Sequence, residues 1–457
     1  MKIWSYIQKF LDNMESFLNK SEKLLLNFLK EPWAFSFFPS SFFWNRDFID
    51  LEKKYIDFFS SDLYLKKDKN TKNNLYIHIP FCSKICNYCN CFKYKVNSRI
   101  EIKKYLRYLE KESDILFRFN SYRKINIDWI FVWWWTPNIL NLDDFEFLYK
   151  IINKYFFIDK IEDFILDWHP NYYNKKKLDL FKNLWVTRIT FAIQTFDKNI
   201  LIKNNRDFYD IDLVIENLSY AKKLGIKVNI DLLIWLKWQT IDSFLNDMSI
   251  LSNLQYDNLS IHYFMNSNNI SYKIASNYND LIIFVKKYFK ENKFFSNSSN
   301  KFEDNFASTK NTTLSLWASS ITNIYSKVIY SKPDIWDYYI FLDNLNLPYY
   351  KWLSLSKRDE MIKFIYLNIL YWINISHFLN LYEVDIFKEF YNEFKFLNSN
   401  DIIFIDNNII YSKKNDLETL IYFNIFFIEK FSFFDLNNYN KSELDTFFLS
   451  NWELIDK

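Results

Sequence analysis

The chain has 457 residues, 49% of them hydrophobic, so it is long enough to bury a large core and form more than one domain. Its 58 basic and 55 acidic residues leave a net charge of +3. This near balance gives no electrostatic reason to expect a nucleic acid or an anionic membrane as partner. Charged residues interrupt Met1–Trp33, which lacks the apolar stretch of a signal peptide or membrane span. We expect a cytoplasmic protein.

Short apolar runs alternate with longer amphipathic segments between residues 75 and 264, after an N-terminal region (1–74) of helical and irregular character. The predicted strands are Leu75–Ile79, Ile127–Val132, Phe164–Asp167, Val186–Ile193, Val228–Leu233 and Leu259–Tyr263. The predicted helices between them are Ile100–Leu116, Leu142–Tyr155, Lys176–Leu184, Ile211–Leu224 and Ile241–Leu251. Strands alternating with helices indicate an α/β fold with a parallel sheet. Six such units predict an open or partial (β/α)6 barrel, with ligand sites at the carboxyl ends of its strands.

The second half of the chain is less regular. Residues 265–345 are rich in Asn and Ser, and Ser296–Ser299 and Lys310–Thr313 are predicted loops. From about residue 346 the pattern becomes helical again, with Met361–Leu370 as an apolar-faced segment. Two short hydrophobic runs, Ile402–Ile405 and Ile409–Tyr411, predict a β-wing. The predicted domains are an N-terminal segment (1–74), a barrel (75–290), a variable connection (291–345) and a mainly helical C-terminal domain (346–457).

All four cysteines lie within ten residues, directly after the first predicted strand. Cys82, Cys86 and Cys89 have the spacing C-x3-C-x2-C, and Cys91 follows two residues later. A zinc site commonly uses two separated pairs of ligands, and no second pair occurs here. An iron–sulfur cluster held by three thiolates fits the spacing better, and it leaves one iron open for another ligand.

The segment from Tyr76 to Cys91 (YIHIPFCSKICNYCNC) resembles the radical S-adenosylmethionine (SAM) superfamily. Within it, the segment is similar to the oxygen-independent coproporphyrinogen III dehydrogenase family, which includes haem-chaperone-like proteins. The resemblance implies a TIM-like radical SAM barrel with a [4Fe-4S] cluster on Cys82, Cys86 and Cys89. It also implies that SAM binds at the open iron, where reductive cleavage supplies a radical that removes a substrate hydrogen. Cys91 and Tyr76 are candidate catalytic residues by the same resemblance.

Further motifs of this family follow in the same order along the chain. They are FVWWWTP at 131–137, where the family has Gly-Gly-Gly-Thr-Pro, DWHP at 167–170, TRITFAIQTF at 187–196, DLLIWLKWQT at 231–240, and LSKRDEMIKF at 355–364. The resemblance implies a set of SAM-binding residues, in which carboxylates suit ribose hydroxyls and arginine suits a carboxylate. This set is Trp133, Trp134, Trp135, Thr136, Asp167, Gln194, Arg206 and Asp231. His78 is expected to support the cysteine segment rather than bind metal.

Tryptophan stands where this family has glycine. The chain has 16 tryptophans and one glycine, Gly225, although average usage of about 7% predicts roughly 32 glycines. The affected positions are Trp133, Trp134, Trp135, Trp185, Trp235, Trp238 and Trp317. Glycine lets the backbone approach a ligand and adopt positive φ, and indoles cannot replace it in that role. We therefore expect that UGA codons specifying glycine in the source were translated as tryptophan.

The motifs together predict a radical SAM oxidoreductase that decarboxylates the propionates of coproporphyrinogen III oxidatively. The expected partners are a tetrapyrrole substrate and a low-potential electron donor. A haem chaperone with the same fold is the main alternative, and another tetrapyrrole-acting radical SAM enzyme is a further one. Cys91 favours the dehydrogenase, because chaperone-like members usually carry an aromatic residue there.

Overall fold

The computed structural model describes twelve stretches of the chain, most of them between residues 72 and 412. These are residues 49–50, 72–89, 92–120, 122–133, 140–234, 236–263, 312–324, 327–332, 334–369, 373–399, 402–406 and 408–412. The chain divides into two compact units, one spanning residues 48–354 and the other including residues 355–457. The domain boundaries predicted from the sequence stay predictions.

The larger unit is built on one eleven-stranded sheet with helices between its parallel strands. Its sheet strands are β1 (Ile49–Asp50), β2 (Asn73–His78), β6 (Trp129–Trp133), β8 (Asp163–Trp168), β9 (Arg188–Gln194), β10 (Lys227–Ile234), β11 (Asn258–Tyr263), β12 (Thr312–Leu316), β13 (Ile321–Ile324), β14 (Lys327–Ser331) and β15 (Tyr349–Ser354). Two further two-stranded pairs are β3 (Phe81–Cys82) with β4 (Tyr94–Lys95), and β5 (Ile125–Asn126) with β7 (Phe156–Phe157). The helices are α1 (Arg99–Phe119), α2 (Leu142–Tyr155), α3 (Lys175–Asn183), α4 (Lys198–Lys203), α5 (Ile211–Lys223), α6 (Ile241–Leu251) and α7 (Ile335–Asp343).

The parallel part of the sheet confirms the predicted fold. Strands β2, β6, β8, β9, β10 and β11 lie side by side in chain order, and each pairs in parallel with the next. All six predicted strands and the five helices predicted between them are present, with ends shifted by up to three residues. The described strands form an open sheet rather than a closed barrel. Their carboxyl ends therefore meet along one edge, where the fold class positions its ligands.

The main core lies between the sheet and its helices. Leu75 and Ile77 on β2 pack with Ile130 on β6 and with Leu106 and Leu109 on α1, and all five are at most 1% exposed. The opposite face of β2 carries Tyr76, which packs on a separate small cluster of Trp129, Phe131 and Ile165. Burial on both faces explains why these strands appear in the sequence as nearly continuous apolar runs.

One strand lies where the sequence predicts a loop. The predicted loop Lys310–Thr313 overlaps β12, which pairs in parallel with β2 on the side away from β6. The buried polar side chains of β12 bond to neighbouring strands: Asn74 Nδ2 donates to Thr313 Oγ1 at 3.4 Å, and Ser315 Oγ donates to the Ile321 carbonyl at 2.8 Å. Thr and Ser in this run gave a loop-like pattern because their partners lie on other strands, Asn74 at 239 residues from Thr313 and Ile321 at six residues from Ser315. Strands β13, β14, β15 and β1 extend the sheet in antiparallel order.

The second unit contains short helices and a small antiparallel sheet. Its described elements are α8 (Lys357–Asn368), β16 (Ile373–Asn374), α9 (Ile375–Tyr382), α10 (Ile386–Glu389), α11 (Tyr391–Ser399), β17 (Ile403–Asp406) and β18 (Ile409–Ser412). Strands β17 and β18 form the predicted β-wing, with Asn408 at φ 72° in the turn between them. Within the described ranges of both units, no helix combines the length and the apolar composition that crossing a membrane requires.

Candidate active site

The cysteine loop, residues 82–89, follows β2 at the carboxyl edge of the parallel sheet. Its first cysteine lies in β3, where the Cys82 carbonyl accepts a hydrogen bond from the Val96 amide at 3.0 Å. The amide of Cys89 donates to the Cys86 carbonyl at 3.1 Å and closes a turn between these two residues. Cys82 and Cys86 are buried, Cys89 is half-buried, and none of the three is in a disulfide. The loop therefore presents three thiols from a short and well-ordered segment.

His78 supports the cysteine loop from the end of β2, in the role expected from the sequence. Its Nε2 lies 2.9 Å from the Phe92 carbonyl, and its Nδ1 lies 3.1 Å from the Tyr76 hydroxyl. Burial lowers the pKa of His78 to about 4, although the bond to Phe92 opposes this shift. The ring is thus neutral near pH 7, so Nε2 donates to the carbonyl and Nδ1 accepts from Tyr76. This orients Tyr76, one of the two candidate catalytic residues.

A second segment, Asn204–Arg206, holds the other side of the cysteine loop, and we call it the strap. The Asn204 carbonyl accepts from the Asn87 amide at 3.0 Å, and Asn205 Nδ2 donates to the Ile85 carbonyl at 2.7 Å. The guanidinium of Arg206 donates through Nη1 to Cys86 Sγ at 3.8 Å and through Nη2 to the Ala192 carbonyl. The structure therefore brings Arg206, predicted to bind SAM, against one of the predicted cluster ligands.

The donor set suits an iron–sulfur cluster better than a single metal ion. Among the described residues, no three His, Cys, Asp or Glu side chains lie close enough together to hold one ion. The thiolates of a cubane cluster bind different irons, so they are spaced more widely than the ligands of one ion. The buried Arg206 also supplies a positive charge and an N–H donor beside the Cys86 sulphur. The three cysteines remain the predicted cluster ligands.

Gln194 is the most informative of the predicted SAM residues. It ends β9, its side chain is 0% exposed, and neither its amide oxygen nor its amide nitrogen has a hydrogen-bond partner within the described part of the chain. An unsatisfied buried amide costs about 1–3 kcal/mol, so it calls for a polar ligand as its partner. A polar ligand at the carboxyl edge of the sheet, such as SAM, would supply donors and acceptors for it.

Two predicted carboxylates lie on the strands that flank β9, nearer to its start than Gln194. Asp167 lies on β8, where it pairs in register with Thr190, and Asp231 lies on β10, where it pairs with Ala192. Both are buried, at 5% and 9% exposure. Three predicted SAM residues thus come from three adjacent strands, close to the carboxyl end of each.

Other predicted site residues lie outside the described residues, namely Cys91, Trp134, Trp135 and Thr136, together with the side chain of Trp133. One buried residue that bonds to the turn after β9 was not singled out from the sequence. Asp247 on α6 is fully buried and accepts hydrogen bonds from Thr195 Oγ1 at 2.9 Å and from the Phe196 amide at 2.7 Å. Its only signal in the sequence is a carboxylate on the apolar face of a helix, among Phe244 and Met248.

Two of the seven tryptophans that stand where the family has glycine have the positive φ that glycine adopts most readily. Trp185 has φ 63° and Trp238 has φ 76°, and both are exposed, at 73% and 53%. Trp185 follows α3 in a Schellman turn, in which its amide donates to the Lys182 carbonyl and the Val186 amide donates to the Phe181 carbonyl.

Gly225 follows α5 in the same turn. Its φ is 71°, its amide donates to the Lys222 carbonyl, and the Ile226 amide donates to the Ala221 carbonyl. Trp185 thus occupies the position that the chain's one glycine occupies elsewhere. This correspondence supports the proposal that glycine is the natural residue at 185.

Residues 76–249, which include the cysteine loop, the strap and all three flanking strands, match the model of the Radical SAM superfamily. The resemblance seen in the motifs is therefore confirmed over this segment, which is less than half of the chain. Within the superfamily, the chain is similar to two kinds of curated protein, haem chaperones and oxygen-independent coproporphyrinogen III oxidases.

The similarity to the two kinds of relative is nearly equal. The heme chaperone HemW of Buchnera aphidicola subsp. Acyrthosiphon pisum (strain APS) is 29% identical over 177 residues, which cover 39% of this chain and 46% of HemW. HemW of Bacillus subtilis (strain 168) is 28% identical over 192 residues, 41% of this chain and 49% of HemW. The oxygen-independent coproporphyrinogen III oxidase of Escherichia coli (strain K12) is 28% identical over 189 residues, 41% of each chain. The matched segments thus span under half the length of these relatives.

The fold also matches a solved structure. The coproporphyrinogen III oxidase HemN from Escherichia coli aligns with a TM-score of 0.69, covering 84% of this chain and 95% of HemN. At 18% identity this likeness establishes the fold alone.

Proposed function

We propose that this protein is a radical SAM oxidoreductase that converts propionate side chains of coproporphyrinogen III to vinyl groups. One observation carries the proposal: three thiols and an unsatisfied buried amide, Gln194, lie at the same carboxyl edge of the parallel sheet. The thiols of Cys82, Cys86 and Cys89 suit a [4Fe-4S] cluster, and Gln194 with its two flanking carboxylates suits SAM.

Each residue has a definite task in this proposal. When bound, the cluster and SAM supply a radical that removes hydrogen from an unactivated carbon, which no amino-acid side chain can do. Asp167 and Asp231 accept hydrogen bonds from the ribose hydroxyls of SAM, and Gln194 both donates and accepts. Arg206 donates a hydrogen bond to the Cys86 sulphur, and its positive charge attracts any carboxylate that binds beside it. The backbone at positions 133–135 cradles the methionine end of SAM if those residues are glycine.

The chemistry at the substrate balances as an oxidative decarboxylation. One hydrogen atom leaves the propionate carbon next to the ring, the carboxylate leaves as CO2, and one electron passes to an acceptor. A tetrapyrrole substrate, a low-potential electron donor for SAM cleavage and an acceptor for the electron released with CO2 are the partners that this reaction requires. We also propose that the protein works in the cytoplasm.

A haem chaperone is the second candidate function. It is supported by the HemW relatives, whose identity of 28–29% equals that of the coproporphyrinogen oxidases. Such a protein would use the same edge of the sheet to hold haem and would transfer it to another protein.

The test compares the two functions on one preparation. The chain is expressed with glycine at 133, 134 and 135, and its cluster is reconstituted without oxygen. It is then incubated with SAM, a low-potential reductant and coproporphyrinogen III. Formation of vinyl product together with 5′-deoxyadenosine supports the dehydrogenase, and Gln194→Ala should reduce both. Tight haem binding with slow, uncoupled SAM cleavage selects the chaperone. Failure to bind about four irons would overturn both.

A further inference from the structure

A buried carboxylate outside the predicted site holds the end of β9. Asp247, on α6, is 0% exposed. Thr195 Oγ1 lies 2.9 and 3.1 Å from its two carboxylate oxygens, and the Phe196 amide donates to Oδ1 at 2.7 Å. Burying a charged group is costly, so a carboxylate kept in this place indicates a specific task.

The turn that Asp247 holds is under backbone strain. Gln194, the residue just before it, has φ 71°, a conformation that costs a residue other than glycine about 1–3 kcal/mol. The pairing of β9 with β10 also shifts register here, so that Ala192 pairs with Asp231 and Gln194 with Leu232. A strained turn with an unsatisfied side chain persists only if its surroundings hold it. Asp247 does so from one side, and the Tyr209 hydroxyl, which donates to the Thr195 carbonyl at 2.5 Å, does so from the other.

The same turn leads directly into the strap. Asp197 caps α4 by accepting from the Asn199 amide at 2.8 Å and the Ile200 amide at 3.0 Å. Helix α4 is only six residues long and ends in the strap, which contacts the cysteine loop at Ile85, Cys86 and Asn87. A shift of the turn would therefore displace a short rigid element whose far end touches the predicted cluster ligands.

We propose that Asp247 is a positioning residue that fixes the β9 turn, and thereby sets both the amide of Gln194 and the strap against the cysteine loop. The part that concerns SAM rests on the proposed function. The part that concerns the strap and the thiols does not, because it is a property of the chain alone.

The electrostatics of Asp247 agree with this role. Burial raises the pKa of Asp247 to about 7, while the bonds from Phe196 and Thr195 lower it and the nearby Asp197 raises it further. Asp247 keeps its position because charge-assisted hydrogen bonds to the turn offset part of the burial cost.

The first experiment uses the full-length protein without cofactor. Asp247→Ala removes the acceptor, and Thr195→Val removes the hydroxyl donor with little change of shape. Asp242→Ala, an exposed carboxylate on the same helix, is the matched control. We expect amide hydrogen exchange over residues 194–206 to become about tenfold faster in both variants, and Cys86 to be alkylated faster. Exchange in β8 and the control should stay as in the unchanged protein. Unchanged exchange and alkylation in Asp247→Ala would overturn the proposal.

The second experiment takes the reconstituted protein with glycine at 133, 134 and 135 as the unchanged protein and measures its SAM affinity by anaerobic equilibrium dialysis. Gln194→Ala and Asp247→Ala should each raise the dissociation constant about tenfold, and the double variant should be no weaker than either single one. Independent effects that multiply to about a hundredfold would contradict the proposal, since they would mean that Asp247 does not act through Gln194. If the unchanged protein binds no SAM, the proposed function fails, and the exchange experiment alone decides the role of Asp247.

Discussion

Arg206 lies against Cys86, with its Nη1 atom 3.8 Å from the sulphur and its side chain almost fully buried. A hydrogen-bond donor and a positive charge beside a cluster sulphur make added electrons more favourable, and so raise the reduction potential. Arg206→Gln should therefore lower the potential of the reconstituted cluster, while Arg206→Lys should lower it less. A spectroscopic redox titration measures this directly. Arg188→Gln breaks a buried ion pair with Asp163 instead, so it is the control and should leave the potential unchanged.

The three cysteines of the cysteine loop should be needed for the cluster, and Cys91 should not. Replacing Cys82, Cys86 or Cys89 by Ala removes one of three iron ligands, so each variant should lose the [4Fe-4S] absorption and most of its iron. Cys91→Ala should keep about four irons per chain, because Cys91 is the extra thiol. It should lose product formation, because Cys91 is a candidate catalytic residue. Iron analysis and the spectrum of the reduced cluster test both statements. A Cys86→Ala variant that retains its cluster would refute the ligand assignment.

The protein from its natural source should carry glycine where the printed chain has tryptophan. Three indoles at 133–135 would fill the space that the backbone needs to approach SAM. Peptide mass spectrometry across residues 126–140 should therefore read glycine at all three positions, and the intact protein should absorb much less at 280 nm. Tryptophan in those peptides would rule out the decoding explanation, and it would count against SAM binding by this chain.

A stability measurement at Trp185 also tests whether glycine is the natural residue at the tryptophan positions. Because Trp185 has φ 63° and an exposed side chain, Trp185→Gly relieves strain and loses little packing. We expect the free energy of unfolding to rise by up to about 1 kcal/mol, measured by urea denaturation. Gly225→Ala is the mirror experiment, since Gly225 has φ 71° in the same turn, and it should lower stability by about 1 kcal/mol. Equal losses in both variants would contradict the argument.

Glu112 should make stability fall as pH rises. It is buried on α1 and accepts from the Tyr338 hydroxyl at 2.8 Å. Burial raises the pKa of Glu112 to about 8, against the smaller opposing effect of Tyr338. The folded protein therefore holds a proton that the unfolded chain releases above about pH 4.3, and the stability linked to that proton is lost as pH rises through about 8.

Glu112→Gln removes this proton, so the variant should gain stability relative to the unchanged protein as pH rises from about 5 to about 9. Urea denaturation at several pH values measures the difference. Parallel stability curves for Glu112→Gln and the unchanged protein would mean that Glu112 is ionised in the fold.

The sequence predicted the parts of this protein whose determinants are local. The six parallel strands were recognisable because strands such as β2, which carries Leu75 and Ile77, are buried on both faces. The spacing of the thiols is visible within ten residues. The strand β12 was missed because its polar side chains are satisfied by neighbouring strands, through Asn74 on β2 for Thr313 and Ile321 on β13 for Ser315. Asp247 was missed for a related reason: its meaning depends on a turn 51 residues away.

The position of β12 has a consequence for how the chain assembles. Asn74 on β2 and Thr313 on β12 are bonded across 239 residues, whereas β2 meets β6 after about fifty. During synthesis, the strand that carries the cysteine loop therefore stands with one edge open until residues 312–316 leave the ribosome. Such an open edge is a ready template for pairing with another chain. Strand β2 is made before the other parallel strands but gains its second neighbour after β6, β8, β9 and β10 have gained theirs, so a chain truncated before residue 312 would expose the strand from which the thiols emerge.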